Sequence, residues 1–290
     1  MELLDGKKVK REKLNELKEE ILKLQESIGL AVIQIGEDPA STVYVRQKSK
    51  MAEELGYHFE HIKLEENVEE EVVLDLIDRL NEDEMIDGIL VQMPIPKHLD
   101  SKKIQNRVHY LKDVDGLTDI NAGRLMHNQE SLVPCTPMGI MTLLDYYGIE
   151  VAGKNVTIVG RSDLVGKPLA SLMINENATV TLCHSKTKDL SSHTKNADIL
   201  IAAVGKPNMI KKEDVKEGAI VIDVGINRQS DGTLCGDVDF EDVKEKCSYI
   251  TPVPGGVGPL TVACLMENTL TLHLKKEMNK SYNTKKELTR

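Results

Sequence analysis

Short apolar runs closed by glycine or proline recur along the chain, with amphipathic stretches between them. This alternation limits the fold more than any other feature. GLAVIQIG (29–36), DGILVQMP (87–94), NVTIVG (155–160), ATVTLC (178–183), ADILIAAVG (197–205) and GAIVIDVG (218–225) have strand length and read as buried strands. YHFEHIKL (57–64) alternates as a half-exposed strand does. Residues 10–26 carry Leu14, Leu17, Ile21 and Leu24 at helical spacing, and helical patterns also cover 41–55, 68–82, 164–176 and 260–276. Gly56 stands where a C-terminal cap belongs, and 68–82 opens with acidic residues, as the helix dipole favours. Thr136 reads as an N-cap with Pro137 as first helical residue, and 113–125 as an ordered loop. Strands interleaved with helices imply an α/β chain with parallel sheets. A boundary near 138 gives a first α/β domain, 1–138, and a Rossmann-like domain, 139–261. The final helix, 262–290, is free to return to the first domain.

Composition narrows the function. The 290 residues suffice for two cores, which must use Ile, Leu, Val and Met because the chain has two Phe and no Trp. A formal net charge of −10 argues against nucleic acid as a partner and leaves small-molecule chemistry as the default. The five cysteines, Cys135, Cys183, Cys235, Cys247 and Cys264, form no CxxC pair, which opposes a disulfide framework or structural zinc and fits a reducing cytoplasm. No metal site is expected, and Cys135 and the histidines read as structural. The opening MELLDGKKVKREKL lacks the apolar segment of a signal peptide, and no run is long enough to span a membrane. The basic stretch 275–290 reads as a solvated helix end and frayed tail.

VTIVGRSDLVGKPLA (156–170) is the most informative local motif. A strand ends at Gly160 and a helix begins near Leu164. Gly160 and Gly166 frame a turn that a pyrophosphate can approach, with Val165 at the helix start and free N–H groups facing the anion. Ser162 occupies the middle position of G-x-G-x-x-G, so the glycine pattern is degenerate. A NAD site normally ends its second strand in a carboxylate for the ribose 2′-hydroxyl. Here that strand runs into His184, Ser185 and Lys186, while Arg161 lies in the glycine turn. Arg161 and Ser185 both donate to phosphate oxygens, which favours NADP; the competing reading makes both ordinary surface residues.

The strings VGRSDLVGKPLA, CHSKT, KDVDGLTDINAGRL, PCTPMG and ITPVPGGVGPLTVA, with DPASTVYVRQKSKMAEELG and GILVQMPIP, closely resemble one family. It is the bifunctional methylenetetrahydrofolate dehydrogenase/methenyltetrahydrofolate cyclohydrolase family, and the likeness runs from about 30 to 272. It implies two α/β domains with a cleft between them: an N-terminal folate-binding catalytic domain and a C-terminal Rossmann-like NAD(P)-binding domain. It also implies a homodimer, tetrahydrofolate one-carbon derivatives as substrates, and the short form without a formyltetrahydrofolate synthetase domain.

The resemblance gives roles to residues whose chemistry suits them. Tyr44 and Lys48 share a helix face, a spacing that taken alone is common on solvent surfaces. In the family, this pair meets the one-carbon unit. A neutral amine can take a proton from water, and a cationic one-carbon unit nearby disfavours the charged amine. Lys50 serves as a solvated comparison. Gln92, inside an apolar run, needs a partner if buried; the resemblance makes that partner Lys48, with Val45, Val91 and Met93 lining the folate pocket. Asp115 can accept paired hydrogen bonds from a pterin, or simply form an Asx-turn with Gly116; Asp113 is the more structural of the two. Pro254, Gly255, Gly256, Val257, Gly258, Pro259 and Leu260 form a stiffened loop expected where folate meets nicotinamide, extended by Thr261 and Val262. Ile226 is expected to meet the cofactor through its backbone. A member with one activity, a generic NADP-dependent oxidoreductase and a non-catalytic dinucleotide sensor stand as alternatives.

Overall fold

The structure is a computed structural model. It describes residues 1–24 and 26–288, with the side chains at 40 and 280–288 outside that description. The chain opens with β1 (Glu2–Leu3) and α1 (Gly6–Ile21), then alternates β2 (Gly29–Ile35), α2 (Pro39–Leu55), β3 (His58–Leu64), α3 (Glu70–Glu82) and β4 (Gly88–Val91). α4 (Ser101–Arg107), α5 (Asp119–Met126) and α6 (Cys135–Tyr146) follow. A second alternation runs β5 (Asn155–Val159), α7 (Gly166–Asn175), β6 (Thr179–Cys183), α8 (Leu190–Thr194), β7 (Ile199–Ala202) and β8 (Ala219–Asp223). The chain then forms β9 (Asn227–Arg228), β10 (Leu234–Cys235), α9 (Phe240–Val243), β11 (Cys247–Ile250) and α10 (Gly258–Leu288).

The chain forms two compact units: Met1–Lys13 with Arg124–Cys264, and Leu14–Gly123 with Leu265–Arg290. The changeover at Gly123/Arg124 falls within α5, upstream of 138, where the strand–helix pattern restarts. In the second of these units β2 is central, parallel to β3 and β4, and every β2 residue is buried. β3 is its exposed neighbour, which accounts for the alternation in its sequence. Ile33, Ile77, Ile89 and Ile104 anchor a core of aliphatic side chains.

The other unit has a parallel sheet in the order β1-β11-β8-β7-β5-β6. Strand order reverses at β5, which has β6 on one flank and β7 on the other. In open parallel sheets the crevice at the carboxyl ends of strands flanking such a switch point receives ligands. Aliphatic clusters pack against the sheet, one around Ile140, Ile158, Leu169 and Ile201, another around Leu200, Val221 and Ile250.

Several local features differ from the sequence reading. Residues 119–126 form helix α5 rather than loop. Thr118 starts it, accepting from the Asn121 N–H through its hydroxyl and from the Ala122 N–H through its carbonyl; Gly123 weakens the propensity signal. α6 starts at Cys135, so Thr136 and Pro137 sit inside its first turn and Pro134 precedes it without a side-chain cap. Proline is tolerated there because first-turn N–H groups have no intrahelical partner. α10 runs on to Leu288, and the last residues of the expected frayed tail, 289–290, lie outside the described residues. The β1 strand and the antiparallel β9–β10 hairpin are too short to leave a periodic signal.

Candidate active site

α2 and β4 converge on one polar pair. β2 carries α2 through Gln34, a buried amide whose Nε2 donates to Thr42 Oγ1 at 3.0 Å. Nearly two turns on, Lys48 is half-buried and its Nζ donates to Gln92 Oε1 at 2.8 Å. The Gln92 amide has a defined orientation because its Nε2 donates to the Met93 carbonyl at 2.7 Å. Ser41 Oγ, at the start of α2, donates to the same carbonyl at 3.3 Å. The Gln92 N–H donates to Ile33 O, fixing the backbone beyond β4 to the sheet. The amide oxygen therefore faces the lysine, and a buried polar group within an apolar run has its partner. Sequence reasoning misses Ser41; its hydroxyl at a helix start looks like an ordinary capping residue.

Around this pair, Val91 is buried, Met93 half-buried and Tyr44 exposed on the α2 surface, where among the described residues it makes no hydrogen bond. Val45 is buried at 2% exposure, so its side chain serves the core. Lys50 is solvated, 4.0 Å from Glu54. Asp115 is half-buried and shares a small pocket with Ile89, Val91, Val108 and Leu117. Asp113, by contrast, is buried, and its carboxylate accepts from the Thr118 N–H at 2.8 Å and Asn121 Nδ2 at 2.9 Å. It closes the loop from within; both carboxylates border that pocket, and Asp115 is the more exposed of the two.

The other unit holds the glycine turn at its switch point. Gly160 has φ +127°, and a Cβ there would lie 2.1 Å from Ala203 O, across the strand-order reversal. A Cβ on Gly166 would lie 2.0 Å from Gly160 O. Only glycine permits this packing of strand end, turn and helix start. α7 begins with no side-chain cap at Val165, and Ser162 Oγ accepts from the Val165 N–H at 3.2 Å, shaping the turn. Two glycines that let the strand end and helix start close on each other, beside the uncapped start of a helix, fit the approach of a dinucleotide pyrophosphate. Arg161, Ser162 and Ser185 are exposed. Past β6, the His184 N–H donates to Thr187 Oγ1 and the Thr187 N–H to His184 O, forming a tight turn with Ser185 at its exposed tip and no carboxylate in it.

The loop 254–259 has the shape its prolines and glycines require. The Val253–Pro254 bond is cis, Gly255 has φ +120°, and the Gly256 N–H donates to Pro252 O at 2.8 Å. Val257, Leu260 and Val262 are buried, Pro254 is exposed, and Thr261 Oγ1 donates to Gly258 O at 2.9 Å. Ile226 is 49% exposed, and its Cδ1 lies 3.4 Å from where a Gly258 Cβ would be. The loop and Ile226 thus form one surface.

The profile of the tetrahydrofolate dehydrogenase/cyclohydrolase catalytic domain matches residues 4–115, and that of the family's NAD(P)-binding domain matches 134–277. The chain belongs to the tetrahydrofolate dehydrogenase/cyclohydrolase family. It is 54% identical over 274 residues to a Bifunctional protein FolD of Wolinella succinogenes, covering 93% of this chain and 96% of that protein. A solved bifunctional FolD methylenetetrahydrofolate dehydrogenase/cyclohydrolase from Campylobacter jejuni superposes with a TM-score of 0.93 at 46% identity, covering 95% of this chain and 99% of that one. The Trypanosoma brucei enzyme, complexed with NADP cofactor and inhibitor, gives 0.89 at 38% identity, with 94% and 97% covered. Within the family's α/β architecture, the Lys48–Gln92 pair lies in the catalytic-domain match and the glycine turn in the NAD(P)-binding match. Among the described residues no helix is long and apolar enough to cross a membrane, and no side-chain cluster could hold a metal ion.

Sequence reasoning also misses Asp223. Asp223 ends β8 and is buried, and burial pushes its carboxyl up to about 6 even though three backbone N–H groups donate to it. The signal was available as a lone carboxylate in the apolar run GAIVIDVG.

Proposed function

We propose that this protein oxidises 5,10-methylenetetrahydrofolate to 5,10-methenyltetrahydrofolate with NADP and hydrolyses the product to 10-formyltetrahydrofolate. The observation that carries this reading is the 2.8 Å bond from Lys48 Nζ to an amide oxygen whose orientation is fixed by the Met93 carbonyl. A dehydrogenase needs only to hold its substrate against the cofactor; an oriented amine inside the catalytic-domain match adds a means of handling the proton of a water nucleophile.

NADP, when bound, accepts the hydride. The protein's share of that step is positional. Asp115 accepts from the pterin amino group and ring N–H, Tyr44, Val91 and Met93 flank the substrate, the loop 254–262 contributes substrate contacts, and Ile226 contacts the cofactor. Gly160, Ser162, Val165 and Gly166 shape the pyrophosphate cradle, and Arg161 and Ser185 bind the 2′-phosphate. In the hydrolytic step water adds to the methenyl carbon and a proton passes to the neutral Lys48 amine. The bond from that carbon to N5 then breaks, N5 is protonated, the hydroxyl oxygen becomes the formyl carbonyl on N10, and one proton is released overall. Gln92 holds the amine at the water. Domain roles follow: folate on 1–138 joined by the final helical segment, 262–290, and NADP on 139–261.

We further propose that the enzyme is a cytoplasmic homodimer; sedimentation velocity tests the dimer. The activity test supplies methylenetetrahydrofolate with NADP or NAD and follows methenyl formation and decay. Methenyl that forms with NADP and then decays faster than in buffer is the expected result. Formation without enzyme-dependent decay would refute the second activity, and equal use of NAD would refute the cofactor choice.

A further inference from the structure

We propose that Asp237 is a positioning residue for the dinucleotide, holding together the loops that follow β7 and β8; the inference rests on the NADP reading above. Asp237 is fully buried, with 0% exposure. Its Oδ2 accepts from the Val204 N–H at 2.6 Å and the Gly205 N–H at 3.0 Å. Its Oδ1 accepts from the Lys206 N–H at 2.8 Å and from Asn227 Nδ2 at 2.9 Å. All four partners are donors, so only an acceptor-only group satisfies them; an asparagine would turn an amine toward N–H groups.

Asp237 is itself held from β8. Asp223 Oδ1 accepts from the Asp237 and Gly225 N–H groups, each at 2.9 Å, and its Oδ2 from the Val238 N–H at 2.8 Å. The packing leaves no room for β-carbons. One on Gly236 would lie 1.7 Å from Asp223 Oδ2, and one on Gly225 would lie 2.3 Å from Asp237 Oδ1. The strand end thus fixes Asp237, and Asp237 fixes two loops that border the candidate dinucleotide surface. The first begins at Ala203, whose carbonyl packs on Gly160 in the phosphate turn. The second holds Ile226 between Gly225 and Asn227, beside Gly258. Buried as it is, Asp237 acts on the cofactor through these backbones and not by contact.

The test uses full-length Asp237→Asn, with NADP affinity measured by fluorescence titration, amide hydrogen exchange at 204–206, and hydrolysis of supplied methenyltetrahydrofolate without cofactor. Hydrogen bonds to a charged group correspond to about 10- to 100-fold in an equilibrium. The Kd for NADP should rise by about that factor and exchange at 204–206 should accelerate, while hydrolysis stays near wild type. If Asp237→Asn does not fold, Asn227→Ala removes one donor from a half-buried position and should weaken NADP by about tenfold. Unchanged NADP affinity in a folded variant would overturn the proposal, as would parallel loss of hydrolysis and NADP binding. Failure of the wild-type protein to bind NADP would instead sink the cofactor reading on which the proposal stands.

Discussion

Lys48→Met separates the two activities most sharply. Methionine keeps most of the lysine's length and removes the amine. Gln92, only 9% exposed, then loses the donor that its amide oxygen holds at 2.8 Å. A buried acceptor left unsatisfied costs about 1–3 kcal/mol, which thermal unfolding would register as a modest loss of stability. The catalytic effect is larger on one step than on the other. Positioned acid–base groups contribute about 10²–10⁴-fold, or roughly 3–5.5 kcal/mol of barrier, and hydrolysis depends on that contribution. Hydride transfer requires orientation at the carbon and no proton transfer there. Methenyltetrahydrofolate should therefore accumulate when methylenetetrahydrofolate and NADP are supplied, with cyclohydrolase down by about 10²-fold or more and dehydrogenase much less affected. Lys50→Met is the control: its side chain is 78% exposed and 4.0 Å from Glu54, a surface pair worth about 0–1 kcal/mol, and it should change neither activity. Equal depression of both steps in folded Lys48→Met would refute the acid–base role and leave Lys48 as a positioning group.

Three further perturbations test other parts of the site. Arg161→Ala removes an exposed guanidinium and should weaken NADP by about 10- to 100-fold while sparing NAD; equal losses for both cofactors would mean that Arg161 does not read the 2′-phosphate. Asp115→Asn replaces one acceptor with a donor at the pocket wall and should impair folate binding while leaving NADP affinity intact; unchanged folate affinity would return Asp115 to a turn-forming role. Asp223 rises from an ordinary 3.8 to about 6 on folding, so the native state binds the extra proton; the resulting stability, about 3 kcal/mol at most, is fully present below pH 3.8 and is lost as pH rises through 6. Denaturant unfolding of wild type and Asp223→Asn should thus diverge in favour of wild type as pH falls from 7 to 4.5, and a pH-independent difference would contradict the burial argument.

The strands were legible because burial on both faces leaves uninterrupted aliphatic runs, and β2 and β7, buried at every position, are the clearest cases. Periodicity failed where an element is short or its propensity mixed. α5 contains Gly123 and is held by Thr118, while β1 depends on a parallel partner in β11, at the other end of the unit's sequence. The glycine turn could be read locally because strand, turn and helix start are contiguous. Lys48 and Gln92 could not: their bond spans 44 residues, and before the two were brought together each looked ordinary, a surface lysine and an amide at a strand end. The family likeness joined them, and the geometry adds the direction of the amide.

Asp223 and Asp237 show a different limit. Carboxylates near glycines suggest solvated turns, since Asp-Gly and Gly-Asp pairs favour them. Here the glycines are small because carboxylate oxygens occupy the space their β-carbons would take, and the donors come from loops up to 33 residues away. A turn aspartate and a buried organising aspartate have the same local sequence. What separates them is the set of donors that folding points at the side chain: Asp231, at the exposed tip of the β9–β10 hairpin, accepts from the nearby Thr233, whereas Asp237 accepts from four residues in two distant segments. Substituting the first should leave cofactor binding unchanged and substituting the second should not, because only the second connects the end of β8 to the backbone beside Gly160.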